Sequence, residues 1–327
     1  MSTITLLGPQ IREPNLAFAL AQLRLAGPFA SISAGWQERE GEIDELGAHL
    51  HSPVADLRIY ARTEDVFGAD RTLRIAHRDR QGQLQEMQAL YTLRLGHAKQ
   101  AARELMQRPS SAPRVLREAR RAALTALRRL DHSHLRAIQR VHAEFERSLQ
   151  PAQRPAVQQA VAQIEDQLDG IGTVLVAGGH VAALLNRLRL LGAQRWLAGR
   201  TIVAWSAGAM ALAEAVVLFH DQPPQGSANA EVFDAGLGMY RGVIPLPHAQ
   251  ARLHLHDASR VALLARRFAP SACLTLDAGA CLHFVDGALE RHTGAFQLAR
   301  QGMLTEIAVR APSPLSLSLP LPLPGSR

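Results

Sequence analysis

The chain has 327 residues, 47% of them hydrophobic, and a formal charge of +7, an ordinary globular composition with material for one large domain or two modest ones. No run approaches the ~18 unbroken apolar residues of a membrane-spanning helix, the start "MSTITLLGPQ" lacks a basic segment followed by an apolar one, and two cysteines, Cys273 and Cys281, cannot build a disulfide framework. These features point to a soluble, cytoplasmic protein with no membrane partner and with both thiols buried.

The first 65 residues read as strand, helix, strand, helix, strand. "TITLLG" is a strand, "NLAFALAQLRLAG" an amphipathic helix closed by Gly27, "FASISAG" a strand, "REGEIDELGAHL" a helix and "DLRIYA" a third strand. Strands alternating with single helices predict a parallel sheet. The pattern then changes. Leu84, Met87, Tyr91, Leu95, Ala98, Ala102 and Leu105 fall at 3–4 spacing, the stripe of a helix. "RPSSAPR" interrupts, and a second stripe runs through Leu116, Ala119, Ala123, Leu127, Leu130, His134, Ile138, Val141 and Phe145. At ~1.5 Å per residue, a helix from Arg114 to Leu149 is ~54 Å long. After "QPAQRP", a third helix carries Val157, Val161, Ile164 and Leu168.

The expected organisation is therefore a first part of an α/β domain over residues 1–70, a helical insertion over 71–168, a second α/β part over 169–310, and a Pro/Leu/Ser tail over 311–327 with no packed structure. Charge follows the same division. Residues 71–150 hold 17 Lys+Arg against 7 Asp+Glu. Three readings of that insertion stay open: a solvated helical hairpin, an arm for homo-oligomer formation, or a surface for nucleic acid or an acidic polymer. No groove-reading motif or aromatic interleaving supports the last.

Alternation resumes with the buried strand "GTVLVAGG", the helix "HVAALLNRLRLLG" and the strand "TIVAW", after which a helix begins near Ser206. "DQPPQGSANA" reads as a loop, "ASRVALLARRFA" as a helix, and "VDGA" as a hairpin turn in the strand-rich segment that follows. The fold class is α/β, a mostly parallel sheet with helices on both faces.

The joint at Ser206 carries the chemistry. Ala204-Trp205-Ser206-Ala207-Gly208 resembles the G-x-S-x-G elbow, with Ala for the first Gly. A hydroxyl there is either a nucleophile or a helix N-cap. Gly178 and Gly179 end a neighbouring strand, at the edge where parallel sheets bind ligands, and offer free N–H groups to an oxyanion. His248, after the stiff "VIPLP", is the candidate base. His248, His254, His256 and Asp257 crowd one segment, but no cysteine or carboxylate stands at a recognised ligand spacing, so no metal and no cofactor is expected. His134 reads as a polar seam position, His220 and Asp221 as loop residues near the pocket, and Glu214 and Glu231 as spare carboxylates.

"VLVAGGHVAALLNRL", "IVAWSAGAMAL", "GLGMYRGVIPLPH" and "LTLDAGACLHFVDGAL" resemble the dipeptidase E and cyanophycinase group of serine peptidases, in the class I glutamine amidotransferase-like superfamily. The resemblance is good over residues 170–290, weak over 1–65, and does not cover the helical insertion or the tail. It implies Ser206 as nucleophile, His248 as general base, the N–H groups of Ala207 and Gly179 as oxyanion donors, and Gly178 completing the glycine turn. It also implies a small acidic peptide as substrate and an acyl-enzyme path. Departures from the pattern are Ala177, Ala204, and His180 where Asn or Asp is common. Ala278 stands where an acid partner of the histidine is expected, in Leu276-Asp277-Ala278-Gly279. Asp277 is the adjacent substitute, on the opposite face if the strand continues. Loss of such an acid costs ~10⁴ in turnover on the serine-protease example, so an impaired relative that binds and assembles is the alternative reading.

Overall fold

Four strands, Thr3–Leu7, Phe29–Ile32, Thr173–Val176 and Thr201–Trp205, enter one sheet from short apolar runs, each buried on both faces as a parallel sheet requires, and Val54–Asp56 adds a half-buried edge. The computed structural model describes residues 2–11, 13–219 and 230–308. The expected tail at 311–327, His220, Asp221 and all of the "DQPPQGSANA" loop but Ala230 lie outside the described residues. In chain order the first part comprises β1 (Thr3–Leu7), α1 (Leu16–Gln22), β2 (Phe29–Ile32), α2 (Asp44–Leu50), β3 (Val54–Asp56) and α3 (Ile59–Ala69). Here the sequence reading needs correction. "DLRIYA" is not a strand: β3 ends at Asp56, whose carboxylate accepts from the Arg58 N–H at 3.0 Å. Arg58 then turns the chain at φ 47°, and a helix follows. Ile59, Thr63, Val66 and Phe67 are its buried stripe, a 3–4 spacing hidden by the β-like run before it. The first helix also stops short of Gly27, at Gln22.

The insertion is a helical hairpin. α4 (Arg71–Gln107) and α5 (Pro113–Leu149) each have 37 residues, about 55 Å at ~1.5 Å per residue. α4 starts thirteen residues before the first stripe residue, Leu84, because the Asp70 side chain caps it by accepting from the Leu73 N–H at 2.9 Å. α6 (Pro155–Gln167) returns the chain to the sheet. Then come β4 (Thr173–Val176), α7 (Val181–Leu190), α8 (Ala193–Trp196), β5 (Thr201–Trp205), α9 (Ala207–Leu212), β6 (Ala215–Leu218) and β7 (Glu231–Ala235). The last part comprises β8 (Val243–Pro247), α10 (Ala249–Arg252), α11 (Ala258–Phe268), β9 (Ala272–Leu276), β10 (Cys281–Val285), β11 (Ala288–Thr293), β12 (Gln297–Leu298) and β13 (Leu304–Thr305).

The main sheet has seven strands in the order β11-β10-β1-β5-β4-β2-β3. From β1 to β3 every pairing is parallel, while β10 runs antiparallel to β1 and to β11. The β10–β11 turn is the expected Asp286-Gly287 pair, both at positive φ. β8 and β9 do not join this sheet. They pair in parallel within a separate four-stranded sheet, β13-β12-β9-β8. β6 and β7 form a third, two-stranded sheet. Cys273 is buried and Cys281 half-buried. Among the described residues no helix is long and apolar enough to cross a membrane.

Buried charges fasten the hairpin to the sheet domain. Arg267 on α11 donates to Asp131 on α5 at 2.6 and 2.7 Å, and its second Nη donates to the Tyr91 hydroxyl of α4 at 2.9 Å. His134 stacks on the Tyr91 ring at 4.0 Å, the polar seam position its stripe suggested. Farther along, His142 of α5 lies 2.7 Å from Asp234 of β7, which also receives Arg189 of α7 at 3.3 Å. Removing one partner of such a buried pair leaves an uncompensated charge, costing about 3–5 kcal/mol. Asp131→Ala is therefore expected to lower the free energy of denaturant unfolding by that amount. Acid should act in the same direction. Burial, with Arg80 beside it, pushes His77 down to about 3, and burial lowers His142 as well. Both are neutral in the fold and take up protons in the unfolded chain below its ordinary ~6.5. Each therefore removes up to about 1.4 kcal/mol of stability per pH unit as pH falls from ~6.5, His77 down to about 3. Unfolding curves at pH 7, 6, 5 and 4 check the sign.

Candidate active site

Ser206 sits between β5 and α9 at φ 51°, ψ −119°. A non-glycine residue in that region is strained by about 1–3 kcal/mol. Its side chain makes no cap hydrogen bond to α9, so of the two sequence readings the N-cap has no geometric support. The helix is six residues long, shorter than the alanine-rich run suggested. Ala204, which replaces the first elbow glycine, is a fully buried strand residue paired with Leu6 and Val176, and its methyl fits there. Gly208 has no such latitude: a Cβ on it would lie 2.4 Å from the Val176 carbonyl oxygen.

The neighbouring strand ends supply the glycine turn. A Cβ on Gly178 would stand 2.9 Å from the Cβ of Ser206. Gly179 has φ 105°, and a Cβ there would meet the Gly35 carbonyl oxygen at 2.5 Å. Gly35, just beyond β2, also receives the His180 N–H at 2.7 Å. Sequence reading missed Gly35, although a lone glycine directly after a buried strand was the available signal. The N–H groups of Gly178, Gly179 and Ala207 have no hydrogen-bond partner among the described residues, which leaves them for an incoming oxygen. His180 is the N-cap of α7: its Nδ1 accepts from the Ala183 N–H at 3.2 Å.

His248 follows β8 in the left-handed region, φ 58°. Pro247 pairs in register with Leu276, so His248 and Asp277 are the next residues of two adjacent parallel strands. Asp277 lies past the end of β9, in a turn, and the alternation that would have turned it away does not apply. Its carboxylate does not bond the imidazole. It accepts from the Gln250 N–H at 2.9 Å, at the start of α10, and burial raises its pKa. Among the described residues no carboxylate bonds His248. Burial, then Arg252, lowers the imidazole pKa, so the ring is neutral near pH 7 and able to take a proton.

Ser206, His248, Gly178, Gly179 and Ala207 line one cavity of about 850 Å³. Three further wall residues decide its character. The Arg252 guanidinium carries no ion pair or hydrogen bond among the described residues, and burial alone lowers its pKa. Trp36 stands next to Gly35 in the wall. Glu231 lines the cavity too, its Oε2 accepting from the Thr92 hydroxyl of α4 at 2.8 Å. Glu214 bonds the Gly242 N–H at 3.0 Å and is not a wall residue. His254 and His256 contact edge to face, ring centroids 5.6 Å apart, and among the described residues no group of three or more His, Cys, Asp or Glu could hold a metal.

No protein-family model matches the chain, and no curated protein matches it. Among solved structures, it is similar to the crystal structure of a peptidase from an acI-B1 Actinobacterium, with 13% identity, a TM-score of 0.43, and coverage of 94% of each chain.

Asp277 offers a sharp test of its place in the site. Asn keeps an oxygen that accepts from the Gln250 N–H, whereas Ala does not. Asp277→Asn should keep the rate of covalent labelling of Ser206 by a fluorophosphonate within a few-fold, and Asp277→Ala should lower it by about tenfold or more. A ~10⁴ loss in the Asn variant, as for an acid that orients the imidazole, is the contrary result.

Proposed function

We propose that the protein is a serine-type hydrolase of small acidic peptides or related amides, acting through an acyl-enzyme on Ser206. The observation that carries this is the strained φ of an uncapping serine, on the wall of the cavity that also holds a neutral histidine and unpaired N–H groups. In the proposed path Ser206 Oγ attacks the substrate carbonyl and His248 accepts the hydroxyl proton. The oxyanion accepts from the N–H groups of Gly179 and Ala207. His248 then protonates the leaving amine, and water, activated by the same ring, releases the acid product.

Arg252 supports an acidic substrate. Among the described residues it is the one guanidinium or ammonium lining the cavity, half-buried and with no side-chain partner, so a carboxylate of the substrate supplies the missing counter-charge. Glu45 and Glu231, also in the wall, suit the amino end of the same peptide, while the Glu42 carboxylate is taken by Arg39. Because among the described residues no carboxylate bonds His248, a chain that binds without turning over is the second reading.

Intact-mass measurement after fluorophosphonate treatment separates the two. One adduct is expected on the native chain, none on Ser206→Ala, and much slower labelling of His248→Ala; a folded native chain that takes no adduct favours the binding reading. The rate should fall in acid with a midpoint below ~6.5, the ordinary histidine value, because only the neutral ring accepts the proton. Arg252→Met should raise KM for an acidic dipeptide about 10–100-fold, the worth of one charge-assisted hydrogen bond, and leave a neutral amide unaffected.

A further inference from the structure

The outward face of α4 carries an exposed apolar pair in mid-helix, whereas the other exposed large apolar residues of the hairpin, Ile75 and Val115, stand singly near the starts of α4 and α5. Its inner stripe, from Leu84 through Tyr91, Leu95 and Ala102, packs on α5 and the sheet domain. Diametrically opposite runs a second 3–4 stripe: Gly82, Glu86, Leu90, Leu93 and His97. Leu90 is 59% and Leu93 63% exposed, and both sit where a solvated helix carries polar residues. Glu86, His97 and the adjacent Arg94 are exposed, with no hydrogen bond or ion pair in their own chain among the described residues.

The order of these residues is self-complementary in one direction. Leu90 and Leu93 have their midpoint between Tyr91 and Thr92; Glu86 and His97 share it, and so do Gly82 and Ala101. A two-fold axis through that point, perpendicular to α4, lays two copies antiparallel. Leu90 of each then meets Leu93 of the other. Glu86 meets His97, with Arg94 one turn away, and the small Gly82 and Ala101 face each other where the backbones approach. A parallel arrangement instead sets Glu86 on Glu86 and His97 on His97. Beyond this seam Asp79 would face Glu104, but each has a partner in its own chain, Arg78 at 3.7 Å and Gln100 at 3.0 Å. The complementary segment therefore spans residues 82–101, about 30 Å of helix.

We infer that two copies of this chain associate through the outer face of α4, antiparallel, about an axis between Tyr91 and Thr92. One helix pair of this length falls at or below the ~1,200 Å² that begins the standard interface range, so the dimer is concentration-dependent. None of Gly82, Glu86, Leu90, Leu93 and His97 lines the cavity, and the inference stands apart from the proposed chemistry.

Sedimentation velocity of the full chain over a hundredfold concentration range tests it. The native chain should shift from monomer to dimer, and Leu90→Asp with Leu93→Asp should remain monomeric with unchanged thermal unfolding, both positions being exposed. Glu86→Arg should weaken association at least tenfold, and adding Arg94→Glu and His97→Glu should restore it. Mild oxidation fixes the direction. Glu86→Cys mixed with His97→Cys should cross-link, and Glu86→Cys alone, whose two copies lie about 16 Å apart along the helix, should not. The native Cys273 and Cys281 thiols, pushed by burial up to about 12 and about 11, give little background. A native chain monomeric throughout, a dimer indifferent to the Leu90 and Leu93 substitutions, or cross-linking of Glu86→Cys alone overturns the inference.

Discussion

No Cβ fits between the ends of β2, β4 and β5, and the site depends on that exclusion. Three adjacent parallel strands stop at nearly one level, and the chain leaving each passes against the backbone of the next. Gly35 lies against Gly178 and Gly179, Gly178 against Ser206, and Gly208 against the end of β4. A methyl at any of these four would come within 3.0 Å of a neighbouring atom, closer than packed atoms tolerate. The same crowding holds Ser206 at positive φ and turns its hydroxyl away from the cap position. Sheet packing thus maintains the strain; the serine's own preferences oppose it.

The hairpin is tied to this centre through β7. Tyr91 and Thr92, consecutive on α4, engage consecutive residues of β7: the Tyr91 hydroxyl accepts from the Val232 N–H at 3.1 Å, and the Thr92 hydroxyl donates to Glu231. Asp234, farther along the same strand, takes His142 and Arg189. One wall of the cavity is therefore built by an element outside the main sheet. The basic surplus of the hairpin is spent partly in these buried contacts, as with Arg267 and Asp131, where charge specifies docking at a cost in desolvation.

Much of this was legible in the sequence because periodicity and punctuation are local. The two hairpin stripes, the glycine pair after β4 and the hydroxyl after β5 each declare themselves within ten residues. What was not legible was set by distant contacts. The Ile59 helix hid behind a β-like run because Arg58 reverses the chain through an Asp56 contact, which composition does not reveal. Placing β8 and β9 in a separate sheet requires knowing which edges are free. Arg252 looked like one of 36 Lys and Arg residues until burial without a partner set it apart. Glu231 was a spare carboxylate with Glu214; only the Thr92 contact and the cavity wall distinguish them.

The histidine without an acid shows how such a site can still be oriented. In a triad the acid fixes both the tautomer and the direction of the imidazole, and removing it costs ~10⁴ while oxyanion donors and binding retain ~10³–10⁴ over water. Here, among the described residues, no ionic partner sets the ring, but the backbone beneath it is constrained from three sides. Pro245 and Pro247 stiffen the approach, the His248 N–H donates to the Leu276 carbonyl at 3.3 Å, and Asp277 holds the first turn beyond it through Gln250. Asp277 thereby acts on the histidine through the main chain, by way of the residue two positions on. Such an arrangement preserves position and gives up the stabilisation of an imidazolium. For the proposed hydrolysis, it therefore suits a chemistry whose barrier lies more in placing a carbonyl against the strained serine than in holding the proton that leaves it.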